Sequence, residues 1–150
     1  MISKPTMSRY RVVLFFGILI LLTFPSASIK AFHKDIYYPR APEALLEILQ
    51  DMDNPFSPTR KNIEEVSKVY FGKGLCVKCH GVNGKGLEVS GHPPRNFTDP
   101  KWQDVRTDGE MMWVLKNGSP GTSMPIRVGR GISEEEAWKV ILFIRTFVGV

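Results

Sequence analysis

Both cysteines of the 150-residue chain fall within five residues, Cys76-Val77-Lys78-Cys79-His80. Thiols three positions apart lie on one helical turn, so both can bond to the rim of a single flat macrocycle. The imidazole of the next residue is then held beneath the centre of that ring. Cys-x-x-Cys-His is the attachment sequence of haem c, with one thioether to each vinyl group and the histidine as proximal iron ligand. By composition the pentapeptide arises by chance in fewer than about one chain in a thousand of this length. The expected cofactor is therefore one haem c, covalent through Cys76 and Cys79, with His80 on the iron. The other chemistries of such a pair fit less well. A dithiol redox pair should open a helix after a strand in a βαβ unit, and no strand pattern is present. A zinc site would need a fourth ligand from His33 or His92, and adjacent Cys-His is awkward for tetrahedral chelation. A simple disulfide in an oxidising compartment leaves His80 without a role.

The second axial position decides between electron transfer and ligand chemistry. Met124 stands in Gly121-Thr122-Ser123-Met124-Pro125, a loop 44 residues beyond His80. A loop methionine stiffened by the following proline can present its thioether to the open face of the ring. His/Met ligation favours ferrous iron and raises the reduction potential. Met111 and Met112 belong to a helical pattern and are expected in the core. His92 is the remaining alternative ligand.

Elements that can position these groups are helical. Pro42 opens a short amphipathic helix to Met52, with Leu45, Leu46, Ile48, Leu49 and Met52 apolar. Asn54-Pro55-Phe56-Ser57-Pro58 breaks the chain. A second helix starts near Asn62, a candidate N-cap with Glu65 three residues on, and carries Ile63, Val66, Val69 and Tyr70 on one face. Glycines and prolines mark Gly81 to Lys101 as loop. The run Gly81-x-x-Gly84-x-Gly86 lacks the Lys-Ser/Thr ending of a phosphate loop. Thr107 or Asp108 caps a third helix, Gly109 to Lys116, stopped by Gly118. Ser133-Glu134-Glu135-Glu136 is a capping box, and the stripe Ala137, Val140, Ile141, Ile144, Val148 forms the last helix. Trp113 and Trp138 read as core, and Arg145 interrupts the apolar run. The expectation is all-α with long loops, with a leader at 1–28, a linker with a short helix at 29–60, and the haem domain at 61–150.

Lys4, Arg9 and Arg11 precede an apolar run from Val12 to Phe24, followed by Pro25 and Ser26-Ala27-Ser28. This is the three-part form of a signal peptide, or of a membrane anchor if uncleaved. It predicts an exported, periplasmic protein, touching membrane only through that segment. Outside the leader 17 bases face 15 acids. So even a balance argues against nucleic acid as partner. A local basic bias at Lys73, Lys78, Lys85, Arg95 and Lys101 suits docking to an acidic partner.

From about Ile63 to Val150 the chain resembles the class I c-type cytochromes. The resemblance rests on the aromatic helix before the motif, Cys-x-x-Cys-His-Gly, Asn83-Gly84-Lys85-Gly86, Ser-Met-Pro and the Ser-Glu-Glu-Glu closing helix. It implies a small cytochrome c fold in which the first and last helices cross beside the haem. It implies an electron carrier rather than an enzyme, with a redox donor and acceptor as partners, either free or as a cytochrome subunit of a respiratory or dehydrogenase complex. The alternative is a peroxidase or gas sensor with a labile sixth ligand and His92 on the distal side. The resemblance also implies that a proline carbonyl after the motif, Pro94 or its neighbour Pro93, accepts the Nδ1–H of His80. Trp102 and Arg127 are candidates to reach a haem propionate.

Overall fold

The computed structural model describes residues 36–87 and 93–149. The leader, His33 and His92 lie outside the described residues. Six helices follow in chain order: α1 Glu43–Gln50, α2 Arg60–Phe71, α3 Val77–His80, α4 Pro100–Val105, α5 Asp108–Asn117 and α6 Glu134–Arg145. Among the described residues there is no strand, and one isolated bridge joins Val128 and Ile132. No described helix is long and apolar enough to cross a membrane.

The helix starts follow local chemistry. Thr107 and Ser133 each cap a helix whose third residue, Glu110 or Glu136, returns the bond to the cap backbone, so both capping boxes are closed. The start of α2 differs from the sequence expectation. Thr59, not Asn62, is the N-cap, its hydroxyl accepting from the Asn62 amide at 3.2 Å. Asn62 lies inside the first turn and donates from its side chain to the Ser57 carbonyl at 2.8 Å. Thr59 sits in extended backbone, which turns its hydroxyl to the first helical amides and gives it the geometry of the cap. The short α4 falls partly in the stretch expected to be loop. Asp99 accepts from the amides of Lys101 and Trp102, and Pro100 occupies the first turn, where its missing N–H costs nothing.

α2 packs on α6, with Val66, Val69 and Tyr70 meeting Ala137, Val140, Ile141 and Ile144 in one core. Tyr70 is fully buried among Phe71, Phe143 and Phe147 and donates its hydroxyl to the Gly81 carbonyl at 2.9 Å. That bond ties the end of α2 to the residue after His80.

The segment before α2, expected as linker, is packed on the domain. α1 lies against α5, and a Cβ on Gly109 would overlap the Leu49 carbonyl oxygen. The Thr107 hydroxyl donates to that same carbonyl at 3.2 Å. Asn54 donates to Asp108 at 3.1 Å and to the Trp138 carbonyl at 3.0 Å. Arg145, which breaks the apolar stripe of α6, has a structural partner set. It binds Asp108 Oδ1 through Nε and Nη2 at 2.9 and 2.7 Å, Gln103 Oε1 at 2.9 Å, and the carbonyls of Gln103 and Arg106 at 2.5 Å each.

Candidate haem site

The motif forms a single helical turn. Cys76 caps α3, and its carbonyl accepts from the amides of Cys79 and His80 at 3.2 and 2.9 Å. The glycine loop then folds back, with Gly86 N donating to the His80 carbonyl at 3.0 Å and Leu87 N to that of Cys79 at 2.8 Å. Two glycines make this possible. Gly84, at φ +70, lies against the Phe147 ring where a Cβ would collide, and Gly86, at φ +86, lies against the Pro94 carbonyl oxygen.

His80 is buried and stacks on Phe97 with 4.1 Å between ring centroids and 15° between planes. Its Nδ1 is 3.1 Å from the Arg95 carbonyl oxygen. This corrects the expectation that the carbonyl of Pro94 or Pro93 accepts that proton: the carbonyl of Pro94 faces Gly86, and that of Arg95, the next along the chain, turns to the imidazole. Burial pushes the imidazole down to about 4, the Arg95 carbonyl opposing and the Arg95 charge adding to the shift. The ring is therefore neutral at pH 7. Since a carbonyl only accepts, the proton sits on Nδ1 and Nε2 keeps its lone pair, the form in which imidazole binds a metal.

His80 lines a cavity of about 290 Å³ whose other walls include Phe97, Trp102, Met111, Leu115, Met124 and Ile144. A neighbouring cavity of about 250 Å³ adds Gly74, Cys76 and Arg127 and shares Cys79, His80, Phe97 and Met124 with the first. The two are lobes of one largely apolar cleft, on the scale of a cofactor site. Cys79 is exposed and Cys76 half-buried. Burial pushes the Cys76 thiol up to about 11. Met124 is half-buried against the core, its amide donating to the Thr122 hydroxyl at 3.2 Å and its carbonyl accepting from Ser119 N at 3.1 Å. Gly118, at φ +74, lets the chain pass against the Met124 carbonyl. Met111 and Met112 are both core residues, Met111 also reaching the larger lobe.

Trp102 lines the larger lobe with the Arg95 guanidinium 5.9 Å from its ring centroid. Arg127 lines the smaller lobe, donates from Nη2 to the Lys73 carbonyl at 3.4 Å, and has a buried Nε without a hydrogen-bond partner among the described residues. An orphaned guanidinium N–H beside an apolar cleft suits a ligand with anionic side chains. The residues present fit a haem: two thiols, an imidazole of fixed tautomer, a thioether, flat apolar walls and guanidinium groups at the margin. Among the described residues no cluster of three or more His, Cys, Asp or Glu could hold a metal ion by itself.

Several residues of the cleft were not expected from the sequence, among them Phe97, which stacks on His80, and Arg106 and Glu110. Ile36, Tyr38 and Arg40 line the larger lobe. They come from a stretch without periodicity, where no local signal marks a cleft wall.

An all-α domain built round a Cys-x-x-Cys-His turn and an apolar cleft is a c-type haem domain. Residues 63–147 match the cytochrome c family, and the chain belongs to it. Covalently bound haem c and haem-based electron transfer come with that membership. Among solved structures the chain is similar to one from the Kuenenia stuttgartiensis reducing HAO-like protein complex Kustc0457/Kustc0458, at 29% identity and a TM-score of 0.53. The likeness covers 65% of this chain and 49% of that one, so it spans about half of that chain's length. No curated protein matches.

Proposed function

We propose that this chain is a monohaem electron-transfer protein, with one haem c joined to Cys76 and Cys79 and ligated by His80 and Met124. The observation that carries the reading is that a neutral, buried His80 with its proton on Nδ1 shares one cleft with Met124. When bound, the haem supplies one-electron cycling between Fe(III) and Fe(II). The protein's part is to hold that couple still. His80 is fixed by the Arg95 carbonyl and the Phe97 ring, and Met124 by the hydrogen-bonded loop between Gly118 and Pro125. Rigid axial donors keep reorganisation small when an electron moves.

The leader pattern of residues 1–28 supports a place outside the cytoplasmic membrane. A partner surface is supported round the exposed Cys79. Leu75, Val82 and Leu87 are exposed apolar groups there, beside exposed Lys73, Lys78 and Lys85. That combination suits transient docking of an acidic redox protein. The similarity to a chain of a reducing complex supports the role of a cytochrome subunit over that of a free carrier. The test is the optical spectrum of protein exported with haem-attachment machinery, oxidised and reduced, with and without carbon monoxide. A haem c spectrum with a weak long-wavelength sulfur-to-iron band and no carbon monoxide response is expected. Ready carbon monoxide binding would replace this reading with the peroxidase or gas-sensing one.

A further inference from the structure

α1 buries one side and leaves another bare. Leu49 is buried where α1 packs on α5, whereas Ile48 is 65% exposed, Leu45 39% and Met52 37%. On a helix these three follow one another round the axis from Leu49, so they form one apolar strip. Glu43, Glu47 and Asp51 lie beyond its far edge, and Asp53 follows the helix end. Between Arg40 and Arg60 the chain has these four acids and no base. Glu47, Asp51 and Asp53 form no ion pair among the described residues.

The face round the haem motif has the opposite character. Val82 is 71% exposed, Leu87 45% and Leu75 43%. They are gathered by the α3 turn: Leu75 and Val82 flank it in sequence, and Leu87 N donates to the Cys79 carbonyl at 2.8 Å. Lys73, Lys78 and Lys85 stand exposed among them. Lys73 is answered by Glu136 at 2.6 Å, whereas Lys78 and Lys85 form no ion pair among the described residues.

Both patches are exposed in the same molecule, so neither covers the other. Charge decides what suits the α1 strip. Helices that lie in a membrane surface carry Lys and Arg beside their apolar face, and this one carries only acids. Two-fold pairing of α1 with α1 would oppose like charges. The motif face of a second copy offers lysines round exposed aliphatic side chains, which answers both the acids and the apolar strip.

We infer that the acidic, apolar face of α1 docks head to tail on the lysine-bearing face round the haem motif of a second copy of this chain. Such a contact is heterologous, so each molecule keeps one unused face of either kind and association grows with concentration. It also covers the face on which an acidic redox protein would dock, so self-association and partner docking compete. That competition rests on the electron-transfer reading above, whereas the contact between copies does not.

The test is carbodiimide cross-linking of the haem-loaded protein, mixed in equal parts unlabelled and nitrogen-15-labelled, with the links mapped by peptide mass spectrometry. The reagent joins a carboxylate to a lysine in direct contact, and a mixed-isotope link comes only from two copies. Such links are expected from Glu47, Asp51 or Asp53 to Lys78 or Lys85. They should fall about ten-fold between roughly 0.02 M and 0.5 M salt, as the screening length shrinks to about 4 Å. A variant carrying Glu47→Gln and Ile48→Ser keeps only the motif face, and one carrying Val82→Ser and Lys85→Gln keeps only the α1 face. Each alone should sediment as a monomer, and an equal mixture should form pairs that stop at two, because one intact face of each kind remains. The absence of mixed-isotope links between these residues overturns the inference. So does a variant that associates as the wild type does, or a mixture that stays monomeric. If either variant fails to load haem, the wild-type link map and its salt dependence decide alone. Protein without a Soret band defeats the haem reading, an outcome distinct from a normal Soret band without the links.

Discussion

Replacing Gly109 by alanine tests whether the segment before α2 belongs to the domain, because packing and propensity give opposite signs. Gly109 lies in the first turn of α5, and at an open helical site glycine to alanine stabilises by about 1 kcal/mol. Here the new Cβ would overlap the Leu49 carbonyl oxygen and come within 2.8 Å of the Met52 Cβ. The obstacle at Leu49 is backbone, so relief requires α1 to move away from α5. Moving it exposes much of the buried Leu49 side chain, worth about 1.5–3 kcal/mol, and breaks the bond from the Thr107 hydroxyl to the Leu49 carbonyl, worth about 1 kcal/mol. Set against the propensity gain, the variant should be less stable by about 1.5–3 kcal/mol. Equilibrium urea unfolding of the holoprotein, followed by tryptophan emission and Soret absorbance, gives the difference as a lower midpoint at an unchanged slope. A midpoint equal to or above that of the wild type would refute the docking of α1 on α5.

Three further outcomes are expected. Met124→Ala should open the iron to external ligands, so the reduced protein binds carbon monoxide and the oxidised one loses its long-wavelength sulfur band; an unchanged spectrum would remove Met124 from the axial position. Arg145→Met keeps most of the apolar volume but strands Asp108 and the carbonyls of Gln103 and Arg106, and should cost about 2–4 kcal/mol in denaturant unfolding, part of it moderated by solvent at the half-exposed guanidinium. Phe97→Leu removes the ring stacked on His80 and should broaden the haem environment, seen as a changed potential together with a loss of about 1–2 kcal/mol of stability; a variant with wild-type potential would show that the Arg95 carbonyl alone holds the imidazole.

What the amino-acid sequence discloses here is chemistry that is complete within a few residues. The haem motif, the Met-Pro loop and the capping box at Ser133 are each defined inside one turn of chain, and the structure forms that box; at α5 the sequence leaves Thr107 and Asp108 as alternative caps, and the structure uses Thr107 and closes a second box with Glu110. Features that depend on distant chain are hidden. Whether Pro94 or Arg95 offers its carbonyl to His80 depends on how the Gly86 turn meets that strand of backbone, which no spacing rule states. The start of α2 moves from Asn62 to Thr59 because both residue types make good caps and only the backbone entering the helix distinguishes them. α4 is six residues long, opens on a proline that also reads as a breaker, and carries no full apolar period. The stretches on either side of α1, 36–41 and 53–59, have no periodicity to show which side faces the protein, and hydrogen bonds from Tyr37 and Asn54 to residues far along the chain anchor them.

Those anchors converge on one polar seam, and the seam explains why Arg145 interrupts an otherwise apolar helix. Arg145 on α6 grips Asp108 and the carbonyls of Gln103 and Arg106. Asp108 in turn receives Asn54, and Arg106 donates to the Tyr37 carbonyl while pairing with Glu110. One guanidinium therefore connects α6, the α4–α5 junction and both ends of the segment ahead of α2. An apolar residue at 145 could fill the space, but it would leave the helix starts at Thr107 and Asp108 free to slide against α6, because apolar contact is non-directional. Directional bonds set the register instead. That register matters to the cleft, because Arg106 and Glu110 are at once members of the seam and part of the wall of the larger lobe. A substitution at Arg145 should thus shift the reduction potential as well as the stability, although its side chain does not line the cleft. A potential unchanged within a few millivolts in Arg145→Met would show that the wall keeps its place without the seam.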